Sequence, residues 1–158
     1  MLIRTQNGLP TSDAKNSWDL MEDVITVIDE EPNRLNWVEW LVRDVAFFHL
    51  SRTQDAKIPA CKTIGCIGGW CSALTDSWNS VYPYSCVSDW KNLVYATGPY
   101  ADPRQDENRS SMQPLPGETQ RQYADRAIKA IRLYMTRNEE ALRGHELLLP
   151  KHLGGTAC

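Results

Sequence analysis

Apolar residues return at helical intervals through most of the chain. Trp18, Met21, Val24, Ile25 and Ile28 recur at three- and four-residue steps. They predict a helix capped at Ser12 or Asp13 and stopped before Pro32, because the residue ahead of a proline disfavours helical backbone. Trp37, Trp40, Leu41, Val45 and Phe48 share one stripe and predict a second helix from about Asn36 to Leu50. Ile64, Ile67, Trp70, Cys71 and Leu74 predict a third, with Thr63 as its N-cap. A short helix is expected from Ser88 through Ala96, closed by Gly98. From Thr119 a long helix carries Tyr123, Ala124, Ala127, Ile128, Ile131 and Tyr134 on one face. Asn138 then caps a last helix through Leu149, ended by Pro150.

Between these stretches the pattern lapses. Residues 51–60 and 75–85 read as connections. Residues 98–117 contain four prolines and many polar side chains, so they read as an irregular loop, mobile or functional. Strand-like alternation is confined to residues 80–87, where Pro83 interrupts it. The expected fold is all-α: one domain over residues 1–158, with five or six helices around one core.

Charge narrows the classes of partner. A net charge of −3 argues against extended nucleic acid and against a DNA-binding helix-turn-helix. The charges are unevenly placed. Residues 13–31 hold seven carboxylates against Lys15, and residues 118–137 hold five cations against Glu118 and Asp125. Either these two segments lie together and attract, or each is a solvated helix face. The run 63–75 is free of charge but too short and glycine-rich for a membrane span. The first residues lack the apolar core of a secretory signal, so a cytoplasmic protein is expected. Five cysteines, an odd count, are then expected to be mostly reduced thiols.

The chemistry concentrates in CKTIGCIGGWCSAL, residues 61–74. Inside a helix Gly65, Gly68 and Gly69 would each cost about 1 kcal/mol relative to alanine, so something must offset them. One reading is close packing, with the cysteines as small apolar side chains. A second is a ligand site at the helix start. There Lys62, Thr63, Gly65 and Gly68 would meet a nucleotide or other anion, and Arg126 and Lys129 would add cations if their helix lies near. A third is a thiol redox or metal role for Cys61 and Cys66. C-x4-C-x4-C fits no common zinc spacing, so no metal site and no cofactor are expected. Trp70-Cys71 reverses the order found at cysteine-protease nucleophiles, and His49, His145 and His152 read as surface or helix-end residues. No catalytic residue is assigned, and the weight falls on a non-enzymatic role. Trp78, Tyr82 and Tyr84, in a connection, are the candidate contacts for a protein partner.

The span from Pro32 to Leu74 resembles a motif of small uncharacterised proteins of bacteria and their phages. In that motif a proline and a tryptophan-bearing helix precede Cys-Gly-Thr-x-x-Cys-x-x-Gly-x-Ala. Here the matching residues are Pro32, Trp37, Trp40, Cys61, Thr63, Cys66 and Gly69. Lys62 stands for the motif's glycine and Cys71 for its alanine. The resemblance implies a helical fold and a bacterial or phage origin, and lends no catalytic residue. The expected function is a non-enzymatic binding or interaction protein, phage-encoded and acting on a host factor. The alternatives are an anion- or nucleotide-sequestering protein using the helix start at Thr63, and a thiol redox or metal-binding protein. Oligomeric state is not legible.

Overall fold

The computed structural model describes residues 2–4, 10–36, 41–42, 64–75, 89–104 and 113–147. Five α-helices dominate these residues, and the fold is all-α as expected. The helices are α1 (Ser17–Glu30), α2 (Ile67–Thr75), α3 (Trp90–Val94), α4 (Gln120–Arg137) and α5 (Glu139–Gly144). Strands are confined to two short antiparallel ribbons. One pairs β1 (Leu2–Arg4) with β2 (Pro10–Ser12), and the other pairs β3 (Leu41–Val42) with β4 (Ile64–Gly65).

The apolar stripe of α1 is the centre of the core. Leu20, Met21, Val24 and Ile28 are wholly buried, facing α2, α4 and α5. Asn16 is the N-cap, its side-chain oxygen accepting from the Asp19 amide at 2.9 Å. The helix therefore starts later than the Ser12 or Asp13 cap that the sequence suggests. Ser12 ends β2 instead, and its hydroxyl donates to the Asp23 carboxylate at 2.6 Å. The stop at Pro32 holds, and Pro32–Arg34 forms a 3-10 turn.

Two helices expected from periodicity change. Leu41 and Val42 are extended and pair with Gly65 and Ile64, so the expected helix from Asn36 to Leu50 does not run through them. A two-residue pairing leaves no periodic trace, and the stripe around it reads as helix. Residues 37–40 and 43–50 lie outside the described residues. The third helix begins at Ile67, not beside Thr63, because Ile64 and Gly65 belong to β4. Cys66 holds the helix start: its carbonyl accepts from the Trp70 amide at 2.9 Å and its sulfur from the Gly69 amide at 3.5 Å. Gly68, Gly69, Trp70, Cys71 and Leu74 are all buried. The Trp70 indole donates to the Arg34 carbonyl at 2.9 Å, tying α2 to the turn after α1.

The long helix follows its pattern closely. Thr119 and Gln122 close a capping box at the start of α4, and Tyr123, Ala124, Ala127, Ile131 and Tyr134 are buried. Gln120 is also buried, and its amide donates to the carbonyls of Pro32 at 2.8 Å and Leu35 at 3.0 Å. Across α1 and α4, Arg121 pairs with Asp29 at 2.8 Å and Arg132 with Glu22 at 3.1 Å. The acidic and basic segments therefore do lie together. The last helix ends at Gly144, short of Leu149, because the chain turns back to α1: the Leu147 amide donates to the Lys15 carbonyl at 2.8 Å. The Ser17 hydroxyl and His145 Nδ1 share a hydrogen bond of 2.7 Å at the same junction.

Candidate functional site

The part of the irregular segment described after α3, residues 98–104, packs against α4. Gly98 takes a left-handed conformation (φ 57°), which glycine adopts without the steric penalty of a Cβ, and starts a 3-10 turn through Tyr100. Tyr100 is buried against Tyr134, ring centroids 6.2 Å apart, and its hydroxyl donates to Asp89. Burial and the Asp89 carboxylate push the Tyr100 hydroxyl up to about 12. Burial alone would raise the Asp89 carboxyl; hydrogen bonds from Tyr100, Asn92 and Asn138 and the charge of Arg137 outweigh it and hold the group below its ordinary value.

Between this segment and α4 lies a groove of about 210 Å³. Pro99, Pro103, Ala130 and Leu133 supply apolar walls, and Asp102, Arg126 and Lys129 supply charge. Leu133 is 39% exposed although apolar. Lys129 is exposed and has no ion pair among the described residues. Asp102 is engaged by Arg104, whose Nε and Nη2 donate at 2.9 and 2.7 Å. Those bonds outweigh burial and set the Asp102 carboxyl at about 2.

Arg126 is the anchor. Its Nε donates to Glu118 Oε1 at 2.8 Å, and its Nη2 donates to Glu118 Oε2 at 2.9 Å and to the Gln113 carbonyl at 2.6 Å. The Leu115 amide donates to the same Glu118 carboxylate at 2.7 Å. Burial pushes the Glu118 carboxyl up, but these bonds and the charges of Arg126 and Arg104 overcome it and hold the group down. The Arg126 side chain is only 9% exposed, and its Nη1 is enclosed with no hydrogen-bond partner among the described residues. A buried donor without an acceptor costs about 1–3 kcal/mol. With Arg126 paired to Glu118 and Asp102 to Arg104, Lys129 leaves the groove with an excess of positive charge. Its chemistry suits an anion attached to an apolar group.

Of the residues singled out from sequence, Arg126 and Lys129 meet here, one turn apart on α4. The helix that was expected to begin beside Thr63 begins at Ile67 instead. Gly65 is in a strand, and Gly68 is buried in the first turn of α2. Lys62, Thr63, Cys61, Trp78, Tyr82 and Tyr84 lie outside the described residues. Cys66 is half-buried at the α2 start, and Cys71 is a buried thiol whose pKa is pushed up by burial and by neighbouring Cys66. No group of three potential ligands that could hold a metal ion occurs among the described residues. Nor is any helix among them long and apolar enough to cross a membrane.

Sequence reasoning missed Glu118, Asp102, Pro99 and Leu133. The proline-rich composition of residues 98–117 marked the region, but nothing in it showed that Glu118 would reach Arg126 two turns along α4. A second recess, about 190 Å³, is lined by Leu2, Pro10, Val27, Glu30, Glu31 and Arg34. Arg34 is bound there to Glu31 at 2.6 Å and lies over the Trp70 ring at 5.6 Å, so it serves the packing of α2 on the turn. No protein-family model, curated protein or solved structure matches this chain.

Proposed function

We propose that the protein is a binding protein that captures an anionic group, carboxylate or phosphate, in the groove between residues 99–103 and α4. The observation that carries this reading is a pair of cations on one wall of the groove: Arg126, fixed on two sides by Glu118 and Gln113, with its enclosed Nη1 lacking an acceptor among the described residues, next to the Lys129 ammonium. Lys129 beside it is an exposed cation, and its ammonium can follow a ligand. This reading sets the anion site on the flank of α4.

Size selects among anions. The groove holds about 210 Å³, whereas sites that enclose cofactors run to about 300–1,000 Å³. A small acid or an acidic side chain fits within it.

The test is titration of the labelled protein with succinate and, separately, inorganic phosphate, followed by amide chemical shifts. Shifts confined to residues 99–103 and 126–133 are expected, and Lys129→Glu weakens binding about threefold or more without altering thermal unfolding. If tens of millimolar of either anion leave those resonances unmoved, the reading is wrong.

A further inference from the structure

Resting on the anion groove just described, we infer that its occupant is a segment of a protein partner in which an acidic side chain stands next to a bulky apolar one. The groove has two chemical ends on one helix face. Arg126 and Lys129 supply the charge, and Ala130 and Leu133, one turn further along α4, supply an apolar continuation opposite Pro99 and Pro103. A free inorganic anion would use the first end and leave the second wet. Leu133, 39% exposed, is one of two large apolar side chains the described residues leave open.

The dimensions agree with a peptide. At roughly 30 Å³ per water, the space equals about seven waters, enough for one large side chain and its neighbour's carboxylate. The prolines add a second advantage: they present apolar rings on a backbone already restricted, so little ordering is needed when a partner docks. The groove opens to solvent, as an extended segment entering from outside requires. Charge complementarity fixes the sign of the partner: a basic segment would meet Arg126 and Lys129 and be repelled.

The experiment compares three capped dipeptides, N-acetyl-Glu-Phe-amide, N-acetyl-Glu-Ala-amide and N-acetyl-Gln-Phe-amide, with succinate, by chemical-shift titration of the full chain. The first should bind about tenfold tighter than the other two, over the Ala peptide because an aromatic side chain is partly buried and over the Gln peptide because its carboxylate meets the cations of α4. Leu133→Ser, at an exposed position, should erase the advantage of phenylalanine over alanine. If succinate shifts residues 126–129 but the Phe peptide binds no better than the Ala peptide, the occupant is a small acid and this inference falls while the anion site stands. If the Gln peptide matches the Glu peptide, charge plays no part and both fall. If none of the four probes shifts the groove, both fall together.

Discussion

Glu118 grips Arg126 by two parallel hydrogen bonds, Nε to Oε1 at 2.8 Å and Nη2 to Oε2 at 2.9 Å, with both side chains less than one-tenth exposed. The pair joins the end of the proline-rich segment to α4 and sets where the guanidinium sits. Because Gln113 takes a second bond from Nη2, the guanidinium cannot turn without breaking three contacts. Its orientation is therefore settled by the protein itself.

Breaking this pair on one side should be costly. In Glu118→Gln the Leu115 amide still finds an acceptor, but Arg126 becomes an uncompensated buried charge. The expected loss is about 3 kcal/mol of unfolding free energy by urea denaturation. The pH dependence follows from the direction of the Glu118 shift. Its carboxyl lies lower in the folded protein than in the unfolded chain, so its contribution is complete above the ordinary glutamate range and is lost as pH falls through the folded value. The wild type should therefore lose stability on acidification below about pH 4.3 more steeply than the variant. Equal slopes would show that Glu118 is not held down by Arg126.

The exposed pairs between α1 and α4 should behave differently. Asp29–Arg121 and Glu22–Arg132 have side chains 39–62% exposed, so water screens them. Double-mutant cycles with Glu22→Gln and Arg132→Gln should give a coupling of about 0.2–1 kcal/mol, shrinking in high salt. A coupling several times larger would mean that these charges, and not the apolar stripe of Leu20, Val24 and Ile28, hold α1 to α4.

Cys66 and Cys71 should separate in a thiol-labelling experiment. Cys71 is wholly buried on α2 and its thiolate is disfavoured there, whereas Cys66 is half-buried at the helix start. Native alkylation followed by peptide mapping should modify Cys66 at least about a hundredfold faster than Cys71, which reacts through unfolding. Comparable rates would mean that α2 opens readily, and would remove the packing account of Gly68 and Gly69.

Long-period features were legible in the sequence and short ones were not. The stripe Met21, Val24, Ile25, Ile28 and the face Tyr123, Ala127, Ile131, Tyr134 each repeat over several turns, and both became buried faces of α1 and α4. Thr119 was readable as a cap because its partner Gln122 stands three residues on. Asn16 was not, since Ser12 and Asp13 offer equally good cap chemistry upstream and are drawn off by β2 and the bond from Ser12 to Asp23. The start of α2 was misplaced for a similar reason. Ile64 continues the helical spacing, yet its backbone pairs with Val42, a partner 22 residues away that no local pattern reveals. In the groove, Arg126 and Lys129 were visible as cations on a helix. The acceptors that fix Arg126 come from Glu118 and Gln113, and the apolar wall comes from Pro99 and Pro103, and these meet only in three dimensions.

Asp102 is the groove's counterweight, and its removal should tighten anion binding. Its carboxylate lies in the same groove as Arg126 and Lys129 and is kept ionised by Arg104. Asp102→Asn keeps an acceptor for the Arg104 amide, which now donates to Asp102 Oδ1 at 2.9 Å, so the turn should persist. It removes one negative charge from the site and weakens the hold on Arg104. Sulfate, whose charge does not change between pH 4.5 and 7, is the suitable probe. Its affinity should rise about threefold in the variant at low ionic strength, and the gain should vanish in about 1 M salt, where screening acts within roughly 3 Å. In the wild type, sulfate affinity should be flat across the same pH range, because a carboxyl titrating at about 2 stays charged throughout. A wild-type affinity that climbs as pH falls toward 4.5 would show that Asp102 is protonated there, and that Arg104 does not hold it in the groove.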